Sequence, residues 1–424
     1  NYSLKNKYLL DINLRADGSS KFGTDNKVAP FWAVGLGWNA HKEYFFQHNY
    51  PFISQLRFRV STGLTGSVQF PPYLSKTTYT YYSSDWYSTG VGAVVNNYGN
   101  EALQWQRTRE TDAGFDLGLF SDRLLISPRY YYKITNGLLA DINLPPSTGF
   151  TSYKANLGDM GNRGFELNIK YTIVANRTWT VNVFTNLVHN TNKILKISNA
   201  LKAYNDKVDQ AQKDNDSLKA APLLRYNEGQ AVNTIYAVRS LGIDPENGKE
   251  IFLKKDGTHT YIWDVKDIVP VADPTPKVTG SFGTSVAYKR WLLNANFFTT
   301  LGGKDYNQTL VDRVENADPR YNVDRRVLTD RWKKPGDHAF FKNIADLGTS
   351  QLSDRFIQKD DELTLQSVYL SYDFDPKVYS RLRMRNLRLA LTMNDVFHWS
   401  TMKIERGIDY PYARSFTFSV QTSF

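Results

Sequence analysis

The C-terminal stretch Ser415-Phe-Thr-Phe-Ser-Val-Gln-Thr-Ser-Phe424 alternates without a break. Successive side chains of an extended strand point to opposite sides. Phe416, Phe418, Val420, Thr422 and Phe424 therefore share one face, and Ser415, Thr417, Ser419, Gln421 and Ser423 share the other. One such strand would fit any half-buried sheet. Here the pattern recurs about twelve times along 424 residues, and nearly every copy has one hydrophilic face. An all-β, antiparallel transmembrane barrel has this wall, apolar toward lipid and polar toward a wet lumen.

Composition agrees. Aromatic residues reach 14% (Tyr 27, Phe 24, Trp 9) although the mean hydropathy is -0.48, as expected for aromatic girdles at two membrane interfaces. No run approaches the roughly 18 apolar residues of a spanning helix. With Cys at 0, disulfides, thiolate metal sites and cysteine nucleophiles are excluded. The formal charge of +10 comes from lysines and arginines scattered singly, which speaks against nucleic acid and fits a basic lumen or loops meeting anionic headgroups. Asn1 is not Met, no signal-like region precedes the first alternation, and the chain is expected to begin inside a larger protein.

Strands are expected at Leu4–Arg15, Pro30–Asn39, Leu56–Gly66, Thr108–Leu119, Arg123–Asn136, Arg163–Val174 and Thr178–Asn190. The second half adds Lys277–Tyr288, Trp291–Leu301, Leu363–Phe374, Leu382–Asn394 and the terminal strand. Each is about ten to twelve residues, long enough to cross a bilayer at a tilt. Leu56, Phe58 and Val60 alternate with Arg57, Arg59 and Ser61. An arginine facing lipid at the midplane costs roughly 2–4 kcal/mol, so Arg57 and Arg59 must face the lumen. By the same alternation Arg129, Asn168 and Arg388 face it too.

Connections alternate in length. Short ones fall at Phe120–Asp122, Ala175–Arg177, Lys289–Arg290 and Asp375–Arg381, with Ala40–Gln55 the longer member of that set. Between them lie about forty residues at Ser67–Arg107, about twenty-five at Gly137–Asn162, about eighty-five at Thr191–Pro276 and about sixty at Gly302–Glu362. Short periplasmic turns and long external loops are the outer-membrane asymmetry. Asn199–Lys219 reads as a solvated amphipathic helix on the longest loop.

Nothing recognisable supports catalysis. The six histidines are isolated, no metalloprotease, nucleophile-elbow or redox motif occurs, and no metal or cofactor site is indicated. Lys255-Asp256-Gly257 reads as a β-turn rather than a calcium loop. Asn176-Arg-Thr178 matches a glycosylation sequon by chance, within a tight turn. One loop stands out: Tyr79, Tyr81, Tyr82, Trp86 and Tyr87 cluster within Phe70–Gly90. Exposed Tyr and Trp supply contact area with a polar handle, suited to stacking on sugars or gripping a peptide; mutual packing into a lid is the alternative.

An ordered set of segments resembles the SusC/RagA class of TonB-dependent outer-membrane transporters, over essentially the whole chain. It comprises Arg15-Ala-Asp-Gly-Ser-Ser-Lys-Phe-Gly23, Phe31–Trp38, Leu56-Arg-Phe-Arg-Val-Ser-Thr-Gly-Leu-Thr-Gly66, Asn100-Glu-Ala-Leu-Gln-Trp105, Gly114-Phe-Asp-Leu-Gly118 and Tyr130-Tyr-Tyr-Lys-Ile-Thr135. Further on come Gly158–Glu166, Gly242-Ile-Asp-Pro-Glu-Asn-Gly248, Thr275-Pro-Lys277, Leu370-Ser-Tyr-Asp-Phe374, Asn394 and Tyr410–Phe424.

The resemblance implies that residues 1–424 form the C-terminal part, about twelve strands, of one barrel of roughly twenty-two strands whose plug and TonB-contacting segment lie upstream. It also implies import of oligosaccharides or peptides with a SusD-like surface lipoprotein and the TonB complex as partners. Phe424 resembles the aromatic residue read by the barrel-assembly machinery. A self-contained passive porin of about twelve strands, or a soluble all-β binding domain, would be the other readings of the strands alone.

Overall fold

The computed structural model describes residues 1–22, 26–68, 70–88, 90–97, 99–143, 152–156, 158–380, 383–403 and 414–423. Its main element is a 13-stranded antiparallel sheet in which every strand pairs with its neighbour in the sequence. The wall strands are Tyr2–Leu4, Tyr8–Gly18, Val28–Asn39, Ile53–Ser67, Gln106–Leu119, Leu124–Asn136, Gly158–Ala175, Trp179–Ile197, Val278–Tyr288, Trp291–Tyr306, Ile357–Asp373, Asn386–Ser400 and Ser415–Ser423. Among the described residues no helix is long and apolar enough to cross a membrane.

The alternation sorts as expected. On the apolar face Leu14 is 77%, Val60 50% and Phe418 66% exposed, so this row has no protein cover within the chain. Register carries the other face across the sheet: Arg59 opposes Gly114, Gly114 opposes Arg129, and Arg129 opposes Glu166. Asn168 lies two residues further along the same face, opposite Asn186, and Arg388 pairs with Asp373 on the strands near the C-terminus. A one-residue slip in any strand would reverse the two faces, which is why a bilayer fixes register so strongly.

Two expectations are corrected. The first strand does not run Leu4–Arg15: Lys5 and Asn6 take φ of 51° and 54°, and the chain folds back so that Leu4 opposes Tyr8. No glycine marks that turn. Several strands are also longer than a bilayer requires. Gly158–Ala175 and Trp179–Ile197 stay paired from Ala175↔Thr180 up to Gly158↔Ile197, past the polar run Asn190–Lys193.

The short connections hold. Phe120, Ser121 and Asp122 all adopt positive φ, with Asp122 accepting from Ser54 Oγ at 2.6 Å. Asn176 closes its turn by accepting from the Thr178 and Trp179 amides at 2.9 and 2.8 Å, so its side chain has a structural task. Asp256 likewise accepts from the Thr258 amide at 2.9 Å in a plain turn, with Gly257 at φ +84°.

Candidate functional site

On the polar face, basic and acidic side chains are interleaved. Arg59 donates to Asp116 at 2.9 Å. Arg129 reaches Glu110 at 2.8 Å, Asp112 at 3.1 Å and Glu166 at 3.6 Å, and Lys133 shares Glu110 at 3.3 Å. Arg57 donates to Asn39 at 2.9 Å, and Arg388 holds Asp373 through two bonds of 2.6 and 2.9 Å. Glycines make room: Gly37 and Gly114 flank Arg59, and a depression of about 270 Å³ is lined by Asp11, Gly35, Gly37, Arg57, Arg59 and Asp112. Thus Arg57, Arg59, Arg129, Asn168 and Arg388 do share one face, but Arg388 is many strands away from the Arg57–Arg129 cluster. Alternation alone puts the carboxylates Asp112, Asp116 and Glu166 on this face, and register shows which arginine each of them and Glu110 meets.

The aromatic loop is a separate two-stranded hairpin, Thr78–Tyr87 with Gly90–Asn97. Tyr79, Tyr81 and Tyr82 are 60%, 70% and 49% exposed. Trp86 opposes Val91 and Tyr87 opposes Gly90 along the backbone, and the side chains of both lie outside the described residues, as does Phe424. The hairpin grows from a compact knot. Phe22 and Trp105, from two of the family-like segments, pack at 4.8 Å, with Phe31, Phe70 and Leu103 beside them. Trp105 Nε1 donates to the Asn26 carbonyl at 2.9 Å, and Asn26 returns a bond to the Leu103 carbonyl at 3.3 Å. Those segments are therefore the footing of the hairpin.

The two longest loops fold together. Ile235, Tyr236, Ala237 and Val238 from one pack against Val311, Val314, Val327, Phe341, Leu352 and Phe356 from the other in a single dry core. Within it Arg355 bridges Glu250 at 2.9 Å and Glu315 at 2.7 Å, all three nearly enclosed. Burial opposes the Arg355 charge, but the two carboxylates more than offset it and hold the guanidinium above its ordinary pKa. Burial pushes the nearby Lys342 ammonium down. The Gly242-Ile-Asp-Pro-Glu-Asn-Gly248 segment is a tight turn organised by Asp244, which accepts from the Glu246 amide and Asn247 Nδ2 at 2.9 Å and from Tyr261. Those bonds, the Tyr261 hydroxyl first, hold the Asp244 carboxyl below the usual range. Trp332 closes the turn from the other loop, donating to the Pro245 carbonyl at 2.9 Å.

The loop body joins the wall on its polar side, since Asn192 of that face accepts from the Val232 amide at 2.8 Å. The helix expected at Asn199–Lys219 is present at Asn199–Asp214, capped by Ser198, and continues as a 3-10 turn at Asp216–Ala220. It is not simply solvated: Gln212 is fully buried and binds Arg225, whose guanidinium also reaches Asp209 at 2.8 Å.

A long meander with an apolar outer row, a charged inner face and large loops at one end defines a bacterial outer-membrane β-barrel wall. The chain belongs to the TonB dependent receptor-like, beta-barrel family, whose model matches residues 1–335. It is 28% identical over 383 residues to TonB-dependent receptor P3 of Formosa agariphila, covering 81% of this chain and 37% of that protein. It is 26% identical over 443 residues to TonB-dependent receptor SusC of Bacteroides thetaiotaomicron, covering 99% of this chain and 42% of that protein. The chain therefore spans less than half the length of these relatives. In fold it is similar to the RagAB peptide transporter, with a TM-score of 0.81 at 22% identity over 99% of this chain and 46% of that one. The chain is thus a barrel wall of TonB-dependent receptor type, similar to SusC and in fold to RagAB, and resides in the outer membrane.

Proposed function

We propose that the chain forms part of the wall and external loops of a TonB-dependent importer that carries oligosaccharides or peptides across the outer membrane. The supporting observation is the cluster of Arg57, Arg59, Asp112, Asp116, Arg129 and Glu166 on the polar face, the face that the loop body meets at Asn192. Such a face offers donors and acceptors at fixed spacing to a polar cargo, and its paired charges stay held in place when no cargo is bound. Tyr79, Tyr81, Tyr82, Trp86 and Tyr87 would make first contact from outside. A SusD-like surface lipoprotein would cover the external loops, and the plug and TonB-contacting segment would belong to the protein upstream of residue 1. Phe424 would serve barrel assembly, and lipid would cover the Phe416/Phe418/Val420 row.

The test is Tyr82→Ala combined with Trp86→Ala in the full-length transporter, with binding measured separately for glycan and peptide libraries. Affinity for one library should fall at least tenfold, equivalent to about 1.4 kcal/mol, while the protein still reaches the outer membrane. Unchanged affinity for both would remove the hairpin from the binding site. Conductance by the 424-residue chain alone would favour a passive porin instead.

A further inference from the structure

The turn between Val28–Asn39 and Ile53–Ser67 carries a 3-10 turn, Ala40–Lys42, and a short helix, Tyr44–Asn49, none of whose residues is buried. Tyr44 is 78% exposed, and Phe45, Tyr50, Phe52 and Phe120 range from 45% to 56%. The rings form a chain: Phe45 to Phe46 at 4.9 Å, Phe46 to Tyr50 at 5.6 Å, Tyr50 to Phe52 at 6.2 Å and Phe52 to Phe120 at 6.3 Å. In water so continuous an aromatic patch would invite association.

Glu43, immediately before the helix, fixes where the patch sits. Its carboxylate accepts from Lys7 Nζ and Tyr8 Oη at 2.8 Å and from Trp38 Nε1 at 3.4 Å. Tyr8 and Trp38 oppose each other, and Trp38 opposes Phe58, all on the apolar face of the wall. Trp38 stacks on Phe58 at 5.6 Å, and Phe58 meets Phe115 at 6.0 Å. A carboxylate gripped by two side chains that point toward lipid draws the turn outward, away from the polar face. The helix thereby extends an aromatic row already placed at the end of the wall where the short turns lie, with Lys42 exposed beside it.

We propose that Tyr44–Phe52, together with Phe120, is an interfacial anchor that docks on phospholipid of the inner leaflet of the outer membrane. Aromatic rings with a polar tip suit the headgroup level, and Lys42 and Lys7 suit lipid phosphates. The occupant is lipid because the patch continues the lipid-facing row. A periplasmic protein would need a surface turned away from that row. The proposal depends on the outer-membrane location and on nothing about cargo.

These 424 residues hold Cys at 0, so with any cysteine elsewhere in the full-length protein replaced by Ser a single nitroxide can be placed at Phe45→Cys, with Asp256→Cys in an external turn as the aqueous control. Reconstituted in phosphatidylethanolamine–phosphatidylglycerol vesicles, the label at 45 should favour oxygen over a water-soluble nickel chelate and report a depth of roughly 5–10 Å below the headgroups. Glu43→Gln should move that label toward water while heat-modifiable gel migration shows the barrel intact. A label at 45 as accessible to nickel as the one at 256 would overturn the proposal, and would be the result if the patch served a periplasmic protein. An unchanged depth in Glu43→Gln would overturn the role given to the Glu43 hub.

Discussion

Arg355 stands between Glu250 and Glu315 inside the body formed by the two longest loops. Removing one partner of a buried ion pair typically costs about 3–5 kcal/mol. In Glu315→Gln the retained Glu250 keeps the loss toward the low end of that range. The expected outcome is rapid proteolytic cutting within residues 198–277 or 307–356 of the detergent-solubilised protein, while the wall resists. Equal resistance to the unsubstituted protein would show that the apolar core alone holds the loops. Asp244 adds a pH dependence. Its folded-state pKa lies below the ordinary value, so its stabilisation is complete above the usual carboxylate range and is lost as pH falls through the depressed value. Trp332 emission, isolated by comparison with Trp332→Phe, should hold steady down to the ordinary carboxylate pKa and change only below it. In Asp244→Asn the altered emission should already be present at neutral pH.

Among the wall strands, packing on the polar face sets what is tolerated. Tyr131 lies across Gly164 on the next strand and donates to Asn190 at 3.1 Å. A Cβ at Gly164 would come within 2.4 Å of the Tyr131 ring and 2.5 Å of the His189 carbonyl. Gly164→Val should therefore displace Tyr131 and cost about 1–3 kcal/mol, seen as a lower temperature for the heat-modifiable shift in gels. Gly35→Ala, whose Cβ would find its nearest neighbour at 3.7 Å, should leave that temperature unchanged. The strands themselves were legible because lipid on one side and water on the other impose strict alternation, as at Leu56–Ser61. Their upper ends were not: from Asn190 to Lys193 the residues are all polar, and pairing above the membrane leaves no apolar row to follow. The turn at Lys5 and Asn6 was equally hidden, because left-handed backbone usually signals itself through glycine and here does not.

Across the whole molecule, the order of short turns and long loops gave the topology from counting alone. The loops' interior could not be read that way. Ile235–Val238, Val311, Val314 and Phe356 lie up to about 120 residues apart with no shared period, and only the completed fold shows that they form one core. The partners of Arg129 were obscure for the same reason, since Glu110, Asp112 and Glu166 come from the two adjoining strands. The aromatic run Tyr44-Phe-Phe46 was in plain view, but its meaning depends on Glu43 reaching back to Tyr8, which no local pattern reveals.

A barrel wall requires that its apolar side meet lipid. Single cysteines at Arg57→Cys, Phe58→Cys, Val60→Cys and Ser61→Cys, and at Thr417→Cys, Phe418→Cys and Ser419→Cys, can each be exposed to a small charged thiol reagent in native outer membranes. Positions 57, 61, 417 and 419 should react, while 58, 60 and 418 should stay protected until the lipid is removed. Reaction at 58, 60 and 418 with protection at 57, 61, 417 and 419 would show that the apolar side does not face lipid.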